Sequence, residues 1–394
     1  MNNFNLHSRT DFVFGKDAEL SVADMLKKYG ATKVFIHYGG GSVLRSGLLQ
    51  RIEDTVTAAG ISYVKLGGAQ PNPIDTLVYE GVALCKKEGV DFVLAVGGGS
   101  AIDSAKAIAV GALYDGDFWD FFDNKLAIEK ALPVATILTI PAAGSEASTS
   151  MVITKTKDGQ NLKRGCGSPH IVPLFSLLNP ELNYTLPVFQ TACGVADMMA
   201  HVMERYFTPT KDVEITDRLC EAILLAIIAE APTAVKEPNN YAARANLTWA
   251  GVIAHNDSCG VGRVGDWASH QMEHELSALY DVAHGAGLAV VFPAWMKYVY
   301  EADVDRFVQF ATRVWSIENN GDKKAVALKG IAALKDFFSS IGLPVNFQQL
   351  EAKKEDIDIM VKTLNINQGD SFGNFKKLSM DDARKIFEIA AEEA

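Results

Sequence analysis

Asp197 and His201 stand four residues apart in GVADMMAHVMER, and His270 and His274 stand four apart in WASHQMEHELSALYDVAHG, which ends on His284 and a glycine. On a helix that spacing turns both members of a pair out of one face. Three imidazoles and one carboxylate combine neutral nitrogen with anionic oxygen, a borderline donor set. It suits Fe²⁺ or Zn²⁺, is compatible with Ni²⁺ and Co²⁺, and suits neither Ca²⁺ nor a thiolate cluster. One open coordination position makes such an ion a Lewis acid. A single Asp-x-x-x-His pair is ordinarily just solvated or hydrogen-bonded. Two pairs argue otherwise, because three of the eight histidines fall within fifteen residues beside Trp267, Leu276, Leu279 and Val282, where an unpaired imidazole is costly. Spacing leaves His274 and His284 interchangeable as the fourth ligand. His7, His37, His170 and His255 show no grouping and read as structural histidines.

A second chemistry lies in glycine-rich loops. DFVLAV runs into GGGSAIDSAK (97–106), a glycine run that ends a buried strand and opens a helix. Glycines let backbone approach a phosphate, and the free amides of the following helix bind the anion. A further GGGS at 39–42 follows the first strong strand, with no carboxylate before Glu53 to hold a ribose hydroxyl and repel a 2′-phosphate. NADP(H) is therefore expected over NAD(H). PAAGSEAS (141–148) is a loop of small residues that either covers the nicotinamide side or is a plain polar turn, and Lys163 and Arg164 lie in a polar stretch where they meet phosphate or solvent.

The elements that must carry these loops are short β-branched runs, KVFIHY (33–38), ISYVKL (61–66), DFVLAV (91–96) and PVATILTI (133–140). They alternate with helical periodicity at 42–58, 75–88 and 101–111. Strands without polar alternation are buried on both faces, so a parallel Rossmann-like sheet flanked by helices is expected over 1–186. Beyond NPELNYTLP (179–187) only helical patterns follow, which predicts an all-helical metal-binding domain over 187–394. Pro187, Pro209, Pro232, Pro238, Pro293 and Pro344 are expected at or near helix ends. LLAIIA (224–229) reads as a buried helix, too short for a membrane span.

At 394 residues the chain fits two domains, and 48% hydrophobic with 22% charged residues describes a globular protein. A net charge of -11 with no basic stripe opposes a nucleic-acid partner. Five scattered cysteines without a CxxC spacing, and a start that is neither basic nor apolar, predict reduced thiols in the cytoplasm.

Taken together, FNLHSRTDFVFGK, GGGSAIDSAK, TIPAAGSEAS and the two histidine blocks resemble the iron-dependent (group III) alcohol dehydrogenases, in the branch of butanol dehydrogenases and NADPH-dependent aldehyde reductases. The likeness covers essentially the whole chain and implies the two-domain plan shared with dehydroquinate synthase. It implies metal ligands at Asp197, His201, His270 and His284, and a His274 that stays off the metal and lines the substrate and nicotinamide pocket. It implies a diphosphate loop at Gly97, Gly98, Gly99 and Ser100, with Asp103 toward the nicotinamide. Thr139 and Lys163 match further cofactor contacts, and Gly39, Gly40, Gly41 and Ser42 occupy the region that separates NADP from NAD. A homodimer follows from the same likeness. The expected reaction is hydride transfer between nicotinamide and a short-chain aldehyde or primary alcohol, with His274 or a water it orders giving the proton. Ala142, Ala143 and Trp267 point to a small apolar substrate. The alternative is a metal- and NAD-dependent lyase of the dehydroquinate synthase type, which needs several basic residues beside the metal where the histidine blocks and their surroundings offer Arg205 and Arg263. One departure stands out: Asn179 replaces an acidic residue usual in the family, a change expected to cost little because both types close turns.

Overall fold

The computed structural model describes residues 1–7, 9–157 and 159–392. The chain divides into two compact units: His7–Leu186, and the chain from Pro187 onward together with Met1–Leu6. The first six residues thus pack with the second unit, anchored by the Met1 amino group on the Lys211 carbonyl and the Asn2 amide on that of Gly262.

The first unit is built on β1 (Asp11–Phe14), β2 (Lys33–Tyr38), β3 (Ser62–Leu66), β4 (Phe92–Gly97), β5 (Val134–Leu138), β6 (Ser150–Lys157), β7 (Gln160–Gly167) and β8 (Phe175–Leu178). Six of these form one parallel sheet in the order β1-β8-β5-β4-β2-β3. β4 and β5 are buried at every position, as apolar strands covered on both faces must be. Val34, Ile36, Leu94, Val96 and Ile137 belong to one core cluster. The helices are α1 (Val22–Lys28), α2 (Gly41–Arg45), α3 (Leu48–Ala58), α4 (Asp75–Glu88), α5 (Gly99–Ala112) and the short α6 (Trp119–Phe122). The periodic segment 42–58 is two helices, because Gly47 takes a left-handed φ of 71° between α2 and α3. The edge strand β1, its inner neighbour β8 and the antiparallel hairpin β6–β7 add to the four strands expected.

Asn179 explains its own departure from the family. Its Oδ1 accepts from the Glu181 amide at 3.0 Å, capping a turn, while its Nδ2 donates to the buried Glu19 carboxylate at 2.8 Å. An aspartate could make the first bond and would repel Glu19 at the second, so the two types are not equivalent here.

The second unit contains α7 (Val188–Tyr206), α8 (Glu214–Lys236), α9 (Tyr241–His255), α10 (Ala268–Tyr280), α11 (His284–Val299), α12 (Val304–Val314), α13 (Lys323–Ser340), α14 (Phe347–Leu350), α15 (Ile357–Gln368) and α16 (Met380–Ala391). A two-residue strand pair, Ser371–Phe372 with Leu378–Ser379, breaks the otherwise helical pattern. Two prolines contradict the expectation that all mark helix ends: Pro232 lies inside α8 and Pro293 inside α11. An interior proline costs about 3 kcal/mol. α11 offsets this by burying every residue from Gly285 to Met296. LLAIIA is likewise half-exposed rather than buried, with Leu224 and Ile227 inward and Leu225 outward. Among the described residues no helix is long and apolar enough to cross a membrane, and all five cysteines are free thiols.

Candidate metal centre and cofactor loops

Three helices of the second unit supply the donors: Asp197 and His201 from α7, His270 and His274 from α10, His284 from the first residue of α11. Asp197, His201 and His270 each offer a donor atom within 4.8 Å of the other two, and all three are buried. His284 Nε2 lies 3.9 Å from Asp197 Oδ1, so the fourth expected ligand joins the group. His274 stands one ring further out, with centroids 5.7 Å from His284.

The imidazoles are turned by specific acceptors. His201 Nδ1 donates to the Asp197 carbonyl at 2.9 Å, and His270 Nδ1 donates to Glu204 Oε1 at 2.8 Å. His284 Nδ1 bonds Glu273. His270 Nε2 and Asp197 Oδ1 are then left buried without a hydrogen-bond partner, a costly state that a bound cation would relieve. Burial, with repulsion from His201 and His284, holds the His270 imidazole well below its ordinary range and therefore neutral, as a ligand must be. Burial pushes the Asp197 carboxyl up, but the surrounding imidazoles outweigh it and keep the group ionised. The donor set fits a divalent ion of the Fe²⁺ or Zn²⁺ kind.

Glu204 and Glu273 were not singled out from sequence. Both lie inside the quoted blocks, one turn beyond His201 and directly before His274. Burial pushes the Glu204 carboxyl up to about 7, against the amides of His270 and Trp267 that donate to it. Trp267 reaches Glu204 from a left-handed φ of 71° at the start of α10. His255, read as merely structural, packs edge-on against His201 with centroids 4.4 Å apart and accepts from Arg205 at 3.0 Å. It belongs to the wall of this site, a contact made by the packing of α9 on α7 and invisible in local spacing.

In the first unit the adjacency of β2, β4 and β5 brings their carboxyl ends together, where open parallel sheets bind ligands. Gly39–Ser42 leaves β2 into α2, Gly97–Ser100 leaves β4 into α5, and Thr139 leaves β5, its amide on the Gly97 carbonyl at 3.0 Å. The glycines differ in purpose. A Cβ on Gly97 or Gly98 would come within 2.7 Å of Ala101 or 2.9 Å of Ile140, whereas one on Gly99 would meet only Ala143 at 3.9 Å and one on Gly40 nothing within 4 Å. Gly99 and Gly40 therefore keep open a space that the protein itself does not fill.

Asp103 is committed to the fold: its Oδ2 accepts from the Val152 amide at 2.9 Å and its Oδ1 from the Ser145 hydroxyl. Lys106, fully buried, donates to the carbonyls of Ser145, Ser148 and Ser150 at 2.7 to 3.0 Å. Burial pushes its ammonium down to about 8 while Asp103 and Glu146 pull it up. The PAAGSEAS segment is thus fastened to α5, which a plain polar turn would not be. Lys163 sits in β7 opposite Thr154, buried, with Nζ on Asn72 Oδ1 at 2.9 Å.

Residues 9–180 match the iron-containing alcohol dehydrogenase family, and residues 191–391 match the C-terminal part of the Fe-containing alcohol dehydrogenases. A probable NADH-dependent butanol dehydrogenase 2 of Bacillus subtilis is 39% identical over 98% of this chain and 99% of its own. The NADPH-dependent aldehyde reductase YqhD of Escherichia coli is 36% identical over 99% and 100%. The crystal structure of NADH-dependent butanol dehydrogenase A from Thermotoga maritima superposes with a TM-score of 0.96 at 41% identity, covering 100% of this chain and 99% of that one. With both halves matched and full-length relatives at this identity, the chain belongs to the iron-containing alcohol dehydrogenase family.

Proposed function

We propose that the chain is a metal-dependent, NAD(P)H-linked oxidoreductase interconverting short-chain aldehydes and primary alcohols, with Asp197, His201, His270 and His284 as ligands of one divalent ion. The observation that carries this reading is the convergence of buried Asp197, His201 and His270 with the half-buried His284, at a place where His270 Nε2 and Asp197 Oδ1 lack a hydrogen bond although His201 Nδ1 stands 3.0 Å from Asp197 Oδ1. When bound, the ion supplies a Lewis acid for the substrate oxygen and the nicotinamide supplies or takes the hydride. Asp197 would contribute the single negative charge and the three imidazoles neutral nitrogen, as metal ligands do, so a divalent ion would keep a net positive charge for catalysis. His274, half-buried beside His284, holds the proton exchanged with the substrate oxygen at an imidazole nitrogen. In the first unit, Gly97, Gly98, Gly99 and Ser100 hold the diphosphate on the first amides of α5. Thr139 and Lys163 contact the cofactor beside them, and Asp103 acts by holding Ser145 and β6 in place.

NADPH is the preferred reductant. Relatives are named for either cofactor, so the support is local: β2 ends in Tyr38 and three glycines, no carboxylate follows before Glu53, and Glu53 is already paired with Lys65 at 2.6 Å. The Arg45 guanidinium lies over Gly41, where a Cβ would stand 2.5 Å from its Nη1, adding positive charge at the same place. The lyase alternative is set aside, because family membership in both halves of the chain goes with the dehydrogenases. Five free thiols fit a reducing, cytoplasmic setting.

The test is to purify the protein, measure bound metal, and follow NADPH and NADH oxidation with butanal. About one ion per chain and turnover with NADPH are expected. His270→Ala should lose metal and activity while retaining its circular dichroism; a variant that stays metal-loaded and active would refute the ligand assignment.

A further inference from the structure

Glu204 and Glu273 are both wholly buried, and neither is one of the four metal donors. Three N–H groups converge on Glu204: the Trp267 amide at 2.6 Å, the His270 amide at 3.0 Å and His270 Nδ1 at 2.8 Å. Glu273 accepts from His284 Nδ1 and from the Ser277 hydroxyl. We propose that Glu204 and Glu273 are positioning residues that lock His270 and His284 in the Nδ1–H tautomer, so that each ring turns a bare Nε2 toward the ion. The proposal rests on the metal reading above.

A neutral imidazole carries one N–H, and a carboxylate can only accept, so the proton sits on Nδ1 and the lone pair on Nε2. The geometry agrees at the other end of each ring: His270 Nε2 is buried without a partner, and His284 Nε2 faces Asp197 Oδ1. His201 Nδ1 donates to the Asp197 backbone carbonyl, which no substitution removes, with Asp197 Oδ1 also 3.0 Å from it. Two of three rings therefore depend on a side chain.

The surroundings are cut to fit Glu273. A Cβ on Gly287 would lie 2.6 Å from its Oε1 and 2.8 Å from its Cγ, so glycine at this position of α11 is what admits the carboxylate. The two glutamates differ in what they tolerate. Glu204 faces three N–H donors, and an amide in its place would set an NH₂ group against one of them. The partners of Glu273 include one ring N–H and the Ser277 hydroxyl, and a hydroxyl can reverse. Glutamine at 273 can thus accept from His284 and donate to Ser277.

The experiment uses ¹⁵N-histidine-labelled, metal-free protein at pH 8, with Co²⁺ affinity measured by chelator competition. His270 and His284 should show the Nδ1–H tautomer in the wild type. Glu273→Gln should keep the His284 tautomer and bind Co²⁺ within about 10-fold of wild type, whereas Glu273→Met should lose the single tautomer and weaken binding about 10- to 100-fold. Glu204→Gln should disturb His270 and leave His284 unchanged. Because Glu273, His274 and His284 also offer donors within 4.8 Å of one another, Co²⁺ stoichiometry is read as well. An Nε2–H tautomer in the wild type, wild-type affinity in Glu273→Met, or two ions per chain with Glu273 as a ligand would overturn the proposal. A wild type that binds no Co²⁺ would sink the metal reading, while the metal-free spectrum would still decide the tautomers.

Discussion

Gly39 is the residue on which the proposed cofactor choice turns. A Cβ there would meet only the Ala69 carbonyl oxygen at 3.7 Å, an ordinary contact, and its backbone is not in the left-handed region. Nothing in the fold therefore requires glycine, and what a side chain would change is the charge seen by the adenosine ribose. Gly39→Asp should set a carboxylate where a 2′-phosphate is expected. Two like charges a few ångström apart near a surface cost on the order of 1 to 3 kcal/mol, or about 10- to 100-fold in relative kcat/KM. NADPH should lose that factor against NADH while thermal stability holds. An unchanged cofactor ratio would remove the 39–42 loop from the specificity argument. The contrast with Gly97 and Gly98, which neighbouring side chains crowd, shows why a glycine run must be read position by position.

At the scale of elements, the proposed metal centre requires α7 and α11 to approach closely. A Cβ on Gly285 would stand 2.0 Å from the Cys193 carbonyl oxygen and 2.6 Å from its carbon, both backbone atoms of α7 that cannot swing away. Gly285→Ala should separate the helices and cost at least about 3 kcal/mol, seen as a lowered melting temperature and lost metal. Gly99→Ala, with only Ala143 at 3.9 Å, should leave melting within about 0.5 kcal/mol of wild type and weaken cofactor binding instead. Equal losses of stability in the two variants would defeat this division. The same helices show what could be read in advance. The pairs Asp197/His201 and His270/His274 are local, and a period of four residues announces them. So do the continuous apolar runs of β2, β4 and β5. The β6–β7 hairpin escapes the periodicity, because Lys155, Lys157, Lys163 and Arg164 mask the apolar alternation around it. His255 and the acceptor roles of Glu204 and Glu273 depend on which helix packs on which, and no local period carries that information.

For the molecule as a whole, the parallel sheet makes part of its acid stability depend on one interior histidine. His37 is fully buried near the C-terminal end of β2. Its Nδ1 donates to the Leu66 carbonyl of β3 at 2.9 Å and its Nε2 accepts from the Ser104 hydroxyl of α5 at 3.0 Å. One ring thus ties together two strands and the helix that follows the diphosphate loop. Burial pushes its pKa down to about 4, only partly opposed by the Leu66 carbonyl. In the unfolded chain the same group titrates near 6.5, so between those values the unfolded state binds the extra proton. Stability is therefore unaffected by His37 above pH about 6.5 and falls as the pH drops toward 4, by up to about 3 kcal/mol. Other acid-sensitive groups, including the histidines proposed as metal ligands, act in parallel, so the quantity to measure is a difference. Urea unfolding of the metal-free wild type and of His37→Gln should be followed at pH 7, 6, 5 and 4.5 through a probe of the first unit. Gln can still donate to Leu66 and reach Ser104 but cannot take up a proton. Whatever stability His37→Gln loses at pH 7, its disadvantage should shrink by roughly 1.4 kcal/mol per pH unit below 6. A gap that stays constant from pH 7 to 4.5 would mean that the proton is taken up elsewhere in the fold.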